Sequence, residues 1–175
     1  MNIVLIGMRG SGKSYYGKAI ARLLGWKYID TDAIIEQKEN KKISNMISEK
    51  GWPYFRKLEK DICKIVAGFD EHVIATGGGM PIEKENIEFL KQNGKIVLLY
   101  RTQEQCAKLK LQGKRAKDRP PLTNRNINEN PRELIEELKE IWQEREKKYI
   151  KSADIIIDVN NEVNPSEIIE KIENC

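Results

Sequence analysis

Apolar residues recur along this 175-residue chain with two alternating periods. Short β-prone runs stand at 2–6, 26–30, 72–76, 95–100 and 154–159. Between them the spacing becomes helical: 15–24, with Ile20, Leu23 and Leu24 on one face and Gly25 as a stop; a stretch through Ile34 and Ile35; then 43–49 and 54–67. Further helical periods cover 83–92, 103–111 and 132–149, where Leu134, Ile135, Leu138, Ile141 and Trp142 share a side, and Pro165 opens a closing helix. Thr31 or Asp32 is placed to cap the third element's successor, Gly51 and Pro53 to separate two helices, and Gly94 to end the helix at 83–92. Five short apolar strands separated by helices predict a parallel sheet covered on both faces, a three-layer α/β/α fold in one domain over 1–175. Such a sheet gathers the C-terminal ends of its strands on one rim, where ligands bind.

One stretch breaks the pattern. Residues 112–130 are polar, carry five basic residues and two prolines, and show no apolar period. A stretch of that length without structure of its own is either disordered or a functional lid, the lid placed at about 112–124.

The first strand runs into Gly7-Met8-Arg9-Gly10-Ser11-Gly12-Lys13-Ser14, which fits the P-loop pattern G-x-x-x-x-G-K-[ST] at every fixed position, between a strand and a helix as the motif requires. Glycines let backbone N–H groups curl around phosphate oxygens. Lys13 brings a point charge to the β/γ-phosphates, the Ser14 hydroxyl suits Mg²⁺, and the helix adds its positive dipole end. The loop alone predicts nucleotide binding and leaves the phosphoryl acceptor open.

The rim supplies candidates for that acceptor. Asp30 and Asp32 end the second strand: one is placed to approach the Mg²⁺ shell through water, the other to orient a hydroxyl. Gly77-Gly78-Gly79 follow the third strand and suit close approach of a ligand to main-chain amides. Arg56 and Arg145, taken with Asp32, make sense for an acceptor with an anionic group and hydroxyls, because guanidinium forks clamp carboxylates. Glu59, three residues after Arg56, is spaced to hold it. Arg119, before Pro120-Pro121, is spaced to act from the lid as an arginine finger in cis. His72 and the three tryptophans read as structural.

Composition narrows the field. Charged residues reach 33% against 39% apolar, and the net charge is +4, but acids and bases interleave and no aromatic platform is visible, which argues against nucleic acid. The three cysteines, Cys63, Cys106 and Cys175, are odd in number and far apart, so neither a disulfide framework nor a metal site is expected, and they fit a reducing cytosol. No signal region opens the chain, and the longest apolar runs fall far short of the roughly 20 residues that span a membrane. A cytoplasmic location follows as an expectation.

Taken together, Gly10-Ser11-Gly12-Lys13-Ser14, Asp30-Thr31-Asp32, Phe55-Arg56 with Glu59, Gly77-Gly78-Gly79, Arg119-Pro120, and Arg145 with Tyr149 and Asp154 resemble the shikimate kinase family in order and over nearly the full length. The resemblance implies a monomer of the nucleoside-monophosphate-kinase type, with a helical substrate-binding region (about 32–61) and a lid, that moves the ATP γ-phosphate to the 3-hydroxyl of shikimate. It implies that Gly10, Ser11, Gly12, Lys13, Ser14 and Tyr15 wrap the nucleotide phosphates and that Ser14 binds Mg²⁺. It further implies that Asp32 holds shikimate hydroxyls, that Arg56, Gly78 and Arg145 fix the rest of shikimate, and that Arg119 reaches the phosphates. Departures from the family pattern stand at Tyr15 (usually Thr), at Gln112 and Glu162 (often arginines near adenine), and at Trp52 (commonly Glu). A gluconate-type kinase, a nucleoside-monophosphate kinase and an idle nucleotide-binding regulator are the rival readings. The last is disfavoured because Lys13, Asp32 and Arg119 are all present.

Overall fold

A computed structural model describes residues 1–112 and 130–175. The elements follow in the order β1 (Asn2–Ile6), α1 (Lys13–Leu24), β2 (Lys27–Asp30), α2 (Thr31–Glu39), α3 (Ile43–Ala67), β3 (His72–Ala75), a short 3₁₀ turn (Met80–Ile82), α4 (Lys84–Lys91), β4 (Gly94–Tyr100), α5 (Gln103–Gln112), α6 (Pro131–Ser152), β5 (Ile155–Asp158) and α7 (Pro165–Glu173). All strand pairings are parallel, in the order β2-β3-β1-β4-β5. The expected five-stranded parallel sheet is present, and its C-terminal rim lies beside the loop after β1.

The strand pleat divides the core in two. On one face Val4, Ile6, Ile74, Ile96 and Leu98 pack under Ile62 and Val66 of α3, Leu90 of α4, and Leu134 and Leu138 of α6. On the other, Ile3, Leu5, Val73, Val97 and Leu99 pack against Tyr16 and Ile20 of α1 and Ile168 and Ile172 of α7. Consecutive residues of β1 therefore serve opposite layers, as a period of two requires.

Three local details differ from expectation. The cap of α2 is Asp30, whose Oδ1 accepts from the amides of Asp32 (3.1 Å) and Ala33 (3.3 Å). The helix starts directly after β2 with no connecting residue, so the last strand residue has to cap it. The predicted helices 43–49 and 54–67 run as one element bent at Gly51, where φ is 77° and Pro53 starts the second arm. Gly94 opens β4 instead of closing α4: it pairs with Asn2 of β1, and a Cβ there would lie 2.5 Å from the Leu90 carbonyl oxygen. Asp154 and His72 are structural: Asp154 accepts from the Ile96 amide (2.8 Å) and Lys91 (2.7 Å), and the His72 ring packs on Phe69.

Candidate active site

Two neighbouring constructions occupy the rim. The first is the loop between β1 and α1. Gly10 has φ 82° and sits so close to α5 that a Cβ would come within 2.2 Å of the Cys106 carbonyl oxygen. Gly12 has φ 99° and is the N-cap of α1. Glycine is needed at both, for backbone conformation and, at Gly10, for space. The Ser11 amide closes the turn on the Met8 carbonyl (3.2 Å). The Lys13 ammonium donates to the carbonyls of Gly7 and Met8, both at 2.8 Å, which holds the charge across the loop.

Ser14 and Asp30 meet at the edge of this loop, with Ser14 Oγ 3.5 Å from Asp30 Oδ2. Asp30 is therefore divided: one oxygen caps α2 and the other faces Ser14. Tyr15 exposes its ring, while its backbone lies in the first helical turn with those of Lys13 and Ser14.

The second construction is a cleft of about 570 Å³, partly continuous with solvent, between the loop, α3, the glycine turn after β3, and α6. Asp32, Arg56, Gly78 and Arg145 all line it, so the acceptor residues proposed from sequence are brought together from four separate elements. Ile141, Arg145 and Tyr149 reach it from α6 because a spacing of four repeats on one helix face.

Arg56 bonds to Glu59 on the same helix, as its spacing foretold, and Glu59 is only 1% exposed. Burial pushes the Glu59 carboxyl up to about 7, against the lowering pull of Arg56 and Arg145 and with further upward pressure from Asp32. Burial likewise pushes the Tyr149 hydroxyl up to about 12, opposed by the charge of Arg145. That neutral hydroxyl donates to the Gly78 carbonyl oxygen. The Arg145 Nε is buried and has no hydrogen-bond acceptor among the described residues. A buried guanidinium donor of this kind suits an incoming anion.

The glycine triplet has a reason more specific than ligand access. A Cβ on Gly77 would meet Asp32 Oδ1 at 2.4 Å, and one on Gly79 would meet Arg56 Nη1 at 2.1 Å. Asp32 and Arg56 take their positions only because those two residues lack side chains. Gly78 between them is less crowded, its nearest atoms lying at 3.7 Å. The Gly77 amide is fixed by Thr31 Oγ1 (3.0 Å), which ties the turn to the start of α2.

Two cleft residues escaped the sequence reading. Trp52 is not mere packing: it lines the cleft, and the Arg56 guanidinium lies 5.1 Å from its ring centroid, within cation–π range. Its position directly after the Gly51 bend was the available signal. Arg9 lines the same cleft from a variable position of the P-loop, so the loop itself forms part of its wall. Arg119 and the lid assigned to 112–124 fall, apart from Gln112, outside the described residues.

Comparison with known proteins fits this geometry. The family model described as Shikimate kinase matches residues 9–175. The shikimate kinase of Persephonella marina is 36% identical over 171 residues, covering 98% of this chain and 96% of its own. That of Thermodesulfovibrio yellowstonii is 39% identical over 171 residues, covering 98% and 92%. Among solved structures, shikimate kinase from Acinetobacter baumannii in complex with shikimate superposes with a TM-score of 0.84 at 32% identity, covering 99% of this chain and 90% of that one. With a parallel-sheet P-loop fold, a cleft beside the loop lined by Asp32, Arg56 and Arg145, and relatives matched end to end, the chain belongs to the shikimate kinase family, ATP-dependent kinases that phosphorylate a shikimate hydroxyl.

Proposed function

We propose that this chain transfers the γ-phosphoryl group of ATP to the 3-hydroxyl of shikimate, giving shikimate 3-phosphate and ADP on the route to aromatic amino acids. The observation that carries this reading is the convergence of Arg56, Arg145 and Asp32 on one cleft bordered by the P-loop at Met8 and Arg9. Two guanidinium groups suit the carboxylate of the acceptor, and a carboxylate suits its hydroxyls.

The roles follow from position. The amides of Gly10 to Tyr15 hold the phosphate chain, and Lys13 exchanges loop carbonyls for phosphate oxygens. Asp32 accepts a hydrogen bond from the reacting hydroxyl and holds its oxygen for in-line attack on the γ-phosphorus. As the new O–P bond forms, the bond to the β-phosphate oxygen breaks and its electron pair leaves on ADP. The hydroxyl proton passes to Asp32 or to water. In a loose transition state positioning and charge compensation outweigh early deprotonation, so Asp32 acts chiefly by orientation. Arg56 and Arg145 clamp the carboxylate, and Gly78 helps to fix the rest of shikimate. Glu59 and Trp52 keep the Arg56 fork in its plane. Arg119 is assigned to the phosphates from the lid.

The donors at Ser14 and Asp30 fit Mg²⁺: both are oxygens, 3.5 Å apart, and among the described residues no cluster of three or more His, Cys, Asp or Glu forms a protein cage. A magnesium ion that keeps water and phosphate ligands needs only such a sparse set. When bound, it neutralises charge on the β- and γ-phosphate oxygens. Ser14 would ligate it directly and Asp30 through water.

The chain is further proposed to act as a cytoplasmic monomer, which light scattering would check against a mass of 20.3 kDa. No helix among the described residues is long and apolar enough to cross a membrane. The function itself is tested by coupled ADP release with shikimate, quinate, gluconate and AMP offered in parallel. Turnover selective for shikimate is expected; equal turnover with gluconate, or none with shikimate, overturns the assignment.

A further inference from the structure

We infer that Arg101 is an additional nucleotide-binding cation, placing its guanidinium on the phosphate chain from the flank of the loop opposite the acceptor cleft. This rests on the nucleotide reading of the loop and extends it to a residue outside the motif.

Arg101 is the first residue after β4, the strand paired with β1 through Ile6↔Leu98, so it emerges on the rim next to the loop. Its backbone is pinned. The Thr102 amide donates to Asn160 (2.8 Å), the Val159 amide donates to the Tyr100 carbonyl (2.9 Å), and Asn160 is itself held by Asp158 (2.8 Å). From that fixed point the side chain reaches the N-cap of α1: its Nη2 lies 3.9 Å from the place a Cβ on Gly12 would take. This is where the first N–H groups of the helix are open to an anion.

Among the described residues no acid side chain pairs with Arg101. Its Nε is buried and donates to no acceptor among the described residues, and no ion pair within 4.0 Å involves it there. Glu104, in the first turn of α5, is bound to Lys139 at 2.7 Å. Lys13 and Arg101 together draw the Cys106 thiol downward against the burial that raises it to about 11, so both cations stand close to the same stretch of α5. A guanidinium whose Nε is buried without an acceptor among the described residues is expensive to maintain, and its fork matches phosphate better than any other side chain. In the proposed reading Arg56 and Arg145 serve the acceptor, and Arg101 stands outside their cleft.

The test compares the wild type with Arg101→Met by calorimetric titration of ADP, of tripolyphosphate and of shikimate. The variant should bind ADP and tripolyphosphate about tenfold more weakly, the scale of one hydrogen bond to a charged group, and bind shikimate unchanged. KM for ATP should rise while kcat and the KM for shikimate hold, and Arg101→Lys should recover part of the loss. Wild-type affinity for ADP in the variant overturns the inference. So does a loss confined to ADP with tripolyphosphate unaffected, which would make Arg101 a contact to the nucleoside. If the Met variant fails to fold, Arg101→Gln carries the same prediction. Failure of the wild type to bind ADP at all would instead remove the reading of the loop, and the two failures are distinguishable in one experiment.

Discussion

The phosphate loop and the acceptor cleft share a rim but are built by opposite means. The loop works through backbone: Gly10 and Gly12 adopt left-handed conformations, and Lys13 rests on the loop's own carbonyls. The cleft works through side chains held by other side chains. Arg56 lies between Glu59 and Trp52, Asp32 lies against Gly77, and Tyr149 anchors Gly78. A backbone device is local in sequence and survives most side-chain changes. A side-chain device is assembled from distant segments and fails when a neighbour intrudes. The difference predicts which substitutions damage which substrate.

The largest expected effect is at Asp32. Asp32→Asn should lower kcat by roughly 10²-fold or more, the scale for misplacing a reacting group, while ADP affinity measured by calorimetry stays near wild type. A comparable loss of ADP affinity would erase the boundary between the two regions. Next comes Gly79→Ala, which places a methyl where Arg56 Nη1 now lies. It should raise the KM for shikimate about as much as Arg56→Ala or Arg145→Ala, roughly 10–100-fold for one charged hydrogen-bonding partner, with the KM for ATP unchanged. A Gly79→Ala variant with normal shikimate kinetics would show that Arg56 is not held where the crowding indicates.

Ser14→Ala should act on the other side. It should raise the magnesium concentration needed for half-maximal rate severalfold and leave shikimate binding intact. A smaller effect concerns pH. Because the folded state raises the Glu59 carboxyl from 4.5 to about 7, it binds the proton more tightly than the unfolded chain does. The stability that this group contributes is therefore full below about 4.5 and declines as pH rises through 7, with a slope of at most about 1.4 kcal/mol per pH unit. Glu59→Gln should flatten the melting temperature between pH 5 and 7.5 relative to wild type. An unchanged slope would place that titration elsewhere.

The same contrast explains what could be read without coordinates. The loop was fully legible because its chemistry is contiguous, from Gly7 to Ser14, and the strand periods were strong enough to give the sheet and its rim. Asp32, Arg56 and Arg145 were legible as a set only through the chemistry of one acceptor. What remained hidden depends on contact between distant residues. Gly77 and Gly79 looked like room for a ligand and proved to be room for Asp32 and Arg56. Trp52 looked like packing and proved to be a wall of the cleft beneath a guanidinium. Arg101 follows a strand with no motif around it, and only the approach to Gly12 gives it meaning.

The central claim is that Arg56 and Arg145 read a carboxylate on the acceptor. It is tested most directly by comparing kcat/KM for shikimate and for its methyl ester, in the wild type and in the Arg56→Ala/Arg145→Ala double variant. The wild type should prefer the acid by roughly 10²-fold or more, and the double variant should turn both over alike. A wild type indifferent to the ester, or a double variant that keeps the full preference, would contradict the account.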